Sequence, residues 1–231
     1  MSPKASAPAF AGFPRDAIQF WHELTAEMSR EWFMANKERY ETSWVRPMTA
    51  LLEAAAAKLA PLYRPKKLGA PRIMRIQRDL RFSKDKSPYK TWIGGGVAIG
   101  TRKPNEGPVA LYMHFGAETE YVGCGQYVFV DQTLARWRRL VAGPKGAEIA
   151  KIVAALKKAG FTVGAYETMA RVPREVEPDH PRADLLKMKG LVAGFPPIPR
   201  GLIHKPAFLD WVVKHAKTAS PLSRWIVKHL G

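Results

Sequence analysis

Cysteine is nearly missing. Cys124 is the only one in 231 residues, which excludes an internal disulfide and a cysteine-built metal cage. No apolar run approaches the ~18 residues that a membrane-crossing helix needs. No charged start leads into an apolar stretch, as a secretory signal would require. We therefore expect no membrane association and a reducing compartment, the cytoplasm. Acidic residues are scarce: 20 Asp and Glu face 37 Lys and Arg, a net charge of +17, which excludes an acidic scaffold. Neither an internal repeat nor a linker between two cores is present. What remains is an ordinary globular mixture, 46% hydrophobic and 25% charged. A chain of this length forms one compact domain and buries about 70% of its unfolded surface.

The positive charge is not spread evenly. Between Arg64 and Lys103 stand twelve Lys and Arg and two acids, Asp79 and Asp85, so 40 residues carry +10 of the +17. A field of this kind draws anions such as the phosphates of nucleic acid or nucleotides. The bland alternative is a solvated basic surface.

Met1 to Phe10 reads as a loose tail, with one domain from residue 11 to 231. Apolar spacing near 3.6 predicts helices from Arg15 to Leu24, from Ser29 as N-cap through Tyr40, and from Pro47 to Leu59. After Pro65 the period changes to 2. Over Arg72 to Phe82 the even positions Met74, Ile76, Leu80 and Phe82 are apolar and the odd ones polar, with Arg78 calling for a bulge or a buried carboxylate partner. Strands follow over Thr91–Ile99, Val109–Phe115 and Glu120–Phe129, with Val109, Leu111, Met113 and Phe115 towards the core and Tyr112 and His114 on the other face. Helices return with Asp131 as N-cap, at 146–159, at 182–186, and as two closing helices, Ala207–Lys217 and Pro221–Leu230; Phe161–Val163 is a short strand. The expected fold is α+β: an antiparallel meander with helices from both termini packed on one side.

The chemistry-bearing residues concentrate in Arg75 to Lys90. Arg75, Arg78, Arg81, Lys84, Lys86 and Lys90 alternate with Asp79 and Asp85 and enclose Tyr89. Arginine forks grip phosphate or carboxylate, lysine adds a point charge, and tyrosine offers a stacking ring and a hydroxyl. Two acids cannot neutralise six cations, so this is an anion clamp in outline. Its structural alternative is a salt-bridge network in which Asp79 and Asp85 pin the loop. In an enzyme acting on a phosphorylated or carboxylated substrate, Asp79, Asp85 or His180 would serve as acid or base, with His114 a further proton carrier. No pair of residues has metal-ligand spacing such as His-x-x-x-His, and no cofactor is expected. Ser83-x-x-Lys86 and Ser87-x-x-Lys90 fail as nucleophile motifs because neither opens a helix. Gly94-Gly95-Gly96 lies in a strand and reads as close backbone approach. Trp32, Phe33 and Tyr40 read as packing. The leading expectation is a basic concavity, where Arg75–Lys90 meets the Asp179–His180 loop, that binds a phosphate-bearing partner, nucleic acid or nucleotide.

The run Arg78-Asp79-Leu80-Arg81-Phe82-Ser83-Lys84-Asp85-Lys86-Ser87-Pro88-Tyr89-Lys90 resembles the DUF2461 family of bacterial and fungal proteins. Its other landmarks are Gly12-Phe13-Pro14, Arg30-Glu31-Trp32-Phe33 with Asn36-Lys37 and Tyr40, and Asp179-His180-Pro181 with Leu185-Leu186 and Lys189. The resemblance spans about Ala11 to Leu222. It implies a globular α+β domain centred on these residues, and it implies no activity. The family's asparagine-rich stretch before Arg30 is replaced here by Glu27, Met28 and Ser29.

Overall fold

The computed structural model describes residues 9–79, 81, 85–101 and 107–231. Ser29 opens a helix as its spacing predicts, its hydroxyl accepting the Trp32 amide at 3.1 Å. The N-terminal third is helical: α1 (Ala17–Ala26), α2 (Arg30–Ala35), α3 (Lys37–Tyr40), a π-helical turn at Glu41–Val45, and α4 (Arg46–Leu59). The expected single helix from Ser29 to Tyr40 breaks at Asn36, whose side-chain amide donates to the Trp32 carbonyl at 3.0 Å. Phe10 is not loose. It is buried against Phe13 and Phe208, at ring distances of 5.7 and 6.3 Å.

Strands follow: β1 (Arg72–Ile73), β2 (Trp92–Ala98), β3 (Val109–Gly116) and β4 (Glu120–Gln126). After α5 (Asp131–Ala142) and α6 (Lys145–Lys158) come β5 (Thr162–Gly164), α7 (Ala183–Lys187) and β6 (Leu191–Gly194). The six strands form one antiparallel sheet in the order β1-β2-β3-β4-β6-β5. The fold is α+β, with a meander through β4 as expected. Strand β6 is not among the strands expected from the sequence; its four residues lie just before Pro196 and Pro197. Asp131 is the first residue of α5 and not its cap, which is Val130.

The strand expected over Arg72–Phe82 does not run through. Beyond β1 the chain bends, and the Ile76–Arg78 backbone pairs with Pro88–Lys90 through Gln77↔Tyr89, Lys90 N–H to Ile76 O and Arg78 N–H to Pro88 O. A return this short takes those hydrogen bonds from the segment itself and leaves β2 to begin at Trp92. Leu80, Phe82 and Lys84 lie outside the described residues.

One face of the sheet is covered by helices. Leu111, Met113 and Phe115 of β3 pack there with Trp44, Phe208 and the long α8 (Phe208–Leu230), all fully buried where they meet. The two closing helices expected from the sequence are this one helix, with Pro221 inside it. Proline has no N–H to give the Lys217 carbonyl four residues back. The neighbouring Ser220 hydroxyl donates to that carbonyl instead, at 2.9 Å, so the helix continues. Among the described residues no helix is long and apolar enough to cross a membrane. Ser220→Ala should lower stability by about 1 kcal/mol, read as a shifted urea midpoint. Thr218→Ala, on the exposed side of the same turn, should shift it by less than about 0.5 kcal/mol.

Candidate ligand-binding site

The face of the sheet away from the helices is open. Trp92, Tyr112, His114 and Tyr121 project from β2, β3 and β4, followed by Val192 and Gly194 of β6 and Thr162 and Gly164 of β5, and together they line a cavity of about 690 Å³. Among the described residues no acid lines it. The register explains how large rings fit on a sheet face. Tyr112 sits between Gly96 and Gly123 on its neighbouring strands, and His114 between Gly94 and Tyr121. A Cβ at Gly94 would lie 2.6 Å from the Trp92 ring, and one at Gly123 would lie 2.4 Å from the Tyr121 hydroxyl. Without those side chains the rings lie over bare backbone and touch each other: His114–Tyr121 at 5.7 Å, Trp92–His114 at 5.6 Å and Tyr112–Tyr121 at 6.1 Å. Val109, expected towards the core, lines this cavity, because the β3–β4 register slips between Val109 and Tyr112 and turns the start of the strand over.

Burial among rings sets the protonation of the lining. The His114 imidazole is pushed below its ordinary value of 6.5 and is neutral at pH 7, and the Tyr112 hydroxyl is pushed up to about 12. Cys124, on the helix side of β4, is raised by full burial to about 12, so it is no nucleophile at neutral pH.

The basic segment meets this cavity at one end. Met74 lines it, and the Lys90 ammonium lies 5.0 Å from the centroid of Trp92 while donating to the Arg75 carbonyl at 2.7 Å. Burial, and then the neighbouring Arg75 and Arg78, depress the Lys90 pKa. Among the described residues no carboxylate lies within ion-pair distance of Lys90. The arginines differ. Arg81 holds Asp79 at 2.9 Å, Arg75 reaches the same carboxylate at 3.5 Å, and Arg78 pairs with Asp85 at 2.9 Å and donates to the Tyr89 carbonyl. Arg78 thus has a carboxylate partner, but an exposed one and not the buried one its place in the pattern called for. Arg81 holds the Asp79 carboxyl down at about 2, and the Ser87 backbone amide lowers that of Asp85. Each acid also closes an Asx turn, accepting from the Arg81 and Ser87 amides. Carboxylates so engaged are weak general bases.

Two residues expected at the site are elsewhere. The Tyr89 ring is buried and stacked on Phe33 at 4.5 Å, so it anchors the segment to the helices and offers no ligand a face. His180 accepts the Arg182 amide on Nδ1 at 3.0 Å in the turn before α7. Arg182 in turn donates to the carbonyls of Val141, Ala142 and Gly143 at the end of α5. The Asp179–His180 loop therefore belongs to the β6–β5 side of the sheet and Arg75–Lys90 to the β1 edge. The expected concavity between these two segments is corrected to one floored by the sheet itself. Lys86 is exposed on the basic loop.

The family model described as conserved hypothetical protein (DUF2461) matches residues 16–225. The chain belongs to the DUF2461 family. A search of curated proteins finds no match. In this DUF2461 chain the described part of the Arg78–Lys90 run that carries the resemblance lies beside β1, and Ser29 caps α2. Tyr121, Tyr127 and Tyr166 escaped the sequence reading as a group. Tyr112 and His114 opposite the core face were the available signal, but β6, which completes the floor, could not be seen.

A histidine with a depressed folded value makes the unfolded chain bind more protons below pH 6.5, so its share of stability is present above 6.5 and is lost as pH falls towards the folded value. The His114 ring should titrate by NMR with a midpoint below 6.5, and His114→Phe should flatten that part of the stability profile; a midpoint at or above 6.5 contradicts the packing described.

Proposed function

We propose that this protein binds a phosphate-bearing ligand with a flat aromatic group, a nucleotide unit, on the aromatic face of its sheet. The observation that carries this reading is Lys90. It is a half-buried cation with no carboxylate partner among the described residues, flanked by Arg75 and Arg78, and it sits over the Trp92 ring where the basic segment joins the cavity. A half-buried cation among cations favours an anion beside it. Rings over bare backbone offer stacking faces, and every base has a π-face. The cavity volume falls in the ordinary range for small-ligand sites, about 300–1,000 Å³.

In this reading Asp79 and Asp85 shape the loop and hold Arg75, Arg78 and Arg81 in place, and the ligand's phosphate lies beside Lys90 and Arg75. The base lies over Trp92 and His114, where a neutral imidazole costs nothing to cover.

Fluorescence anisotropy with a labelled single-stranded octadeoxyadenylate tests the reading. Lys90→Ala should weaken binding about ten-fold, about 1.4 kcal/mol, and reduce the dependence of log K on log salt by about one. Lys214→Ala, an exposed cation on α8, should leave affinity within about two-fold. Equal losses in both variants would mean adsorption to general positive charge, and a flat salt response would remove the phosphate contact. Gly94→Ala, whose Cβ would meet only the movable Trp92 and Tyr112 rings, should weaken binding while the protein stays folded.

A further inference from the structure

The cavity is wider than one nucleotide needs. Trp92 stands on β2, and at the far side Tyr127 follows β4 and Tyr166 follows β5. Four strand spacings separate β2 from β5 in the sheet order, roughly 19 Å at ~4.8 Å each. Bases stacked along one strand repeat every ~3.4 Å. That span is about five to six stacked repeats, or roughly three bases when each is splayed onto its own ring at about twice that spacing, and no single base touches both ends.

The far end is built of rings that the fold itself does not use. Tyr127 and Tyr166 pair at 5.0 Å between centroids, yet they are 52% and 80% exposed. A buried ring pair contributes to folding through the area it covers, and this pair covers little. At the far end the floor is open, since an added Cβ at Gly164 on β5 would meet nothing within 4 Å, while the Tyr121 ring covers the middle, 3.0 Å from an added Cβ at Gly194. Among the described residues no acid lines the cavity; Lys90 and Arg75 stand at the near end, and Glu167, close enough to Tyr127 to act on its hydroxyl, is paired with Lys189.

Resting on the nucleotide reading above, we infer that the ligand is a short single-stranded stretch of nucleic acid, two to three nucleotides of it held across the sheet from Trp92 to the Tyr127–Tyr166 pair. Antiparallel sheets with exposed aromatics stack two or three bases in this manner. Its 5′ or 3′ phosphate lies by Lys90, and the bases follow across Tyr112, His114 and Tyr121 to Tyr166.

The test is a length series of 5′-phosphorylated oligodeoxyadenylates and oligoadenylates of one, two, three, four and eight nucleotides, titrated against the full chain and followed by tryptophan fluorescence and calorimetry. Affinity should rise roughly five-fold or more per nucleotide up to three and then level off. Tyr166→Ala, at an exposed position that folding does not need, should lower trinucleotide affinity roughly five-fold or more and leave the mononucleotide unchanged, whereas Trp92→Ala should weaken both. A mononucleotide that binds as tightly as the trinucleotide, or a Tyr166→Ala variant that binds the trinucleotide normally, overturns this inference and leaves the nucleotide reading standing. Affinity that climbs steadily to eight nucleotides and ignores Tyr166 also overturns it, assigning the gain to phosphates along the basic edge. No binding at any length removes both. The deoxy and ribo series tell which sugar the site takes.

Discussion

Large aromatic rings lean over a β-sheet where neighbouring positions carry no side chains. Gly94, Gly96, Gly123 and Gly194 meet that condition on one face only. On the other face Leu111, Met113, Phe115 and Val122 point into the helices and carry the hydrophobic stability of the domain. The two faces thus have separate tasks. Glycine weakens a strand by removing cross-strand contacts, and the rings of Trp92, Tyr112 and Tyr121 restore contact by covering the exposed backbone. Every functional claim above depends on that exchange of side chains for rings.

The electrostatic arrangement follows from the same architecture. The β1 edge and the loop after it carry the densest positive charge in the chain, and an edge strand lined with Lys and Arg also resists pairing with another sheet. Within the loop, Asp79 and Asp85 are already committed to arginines and to backbone turns. The loop therefore combines the two alternatives posed by its sequence: an internal network for the arginines, and, among the described residues, a cation without such a partner at Lys90. Lys90 is also the residue that faces the rings, which places the uncompensated charge at the mouth of the aromatic cavity.

Much of the fold was legible in the sequence because it follows from local pattern. The period-2 alternation in Val109–Phe115 separates Leu111, Met113 and Phe115 from Tyr112 and His114, and the Ser29 cap, the Pro47 start and the meander to β4 can be read from short-range signals. What escaped depends on partners distant in sequence. Four residues at Leu191–Gly194 become a strand only because β4 and β5 flank them. The α8 helix passes Pro221 only because Ser220 takes over the Lys217 carbonyl. Val109 turns towards the cavity through a register slip that no periodicity announces. For the candidate site, the charge cluster was visible and the rings were not, since Tyr121, Tyr127 and Tyr166 come together through strand order.

The central claim is that the aromatic face of the sheet, and not the basic surface at large, receives the ligand. Chemical-shift mapping with a 5′-phosphorylated dinucleotide tests it most directly. The account predicts ring-current shifts of the Trp92 indole and of the Tyr112, His114 and Tyr121 ring protons, together with movement of the Lys90 side chain. Shifts confined to the lysines of α8 or to Lys66 and Lys67, with those ring resonances unmoved, would contradict it.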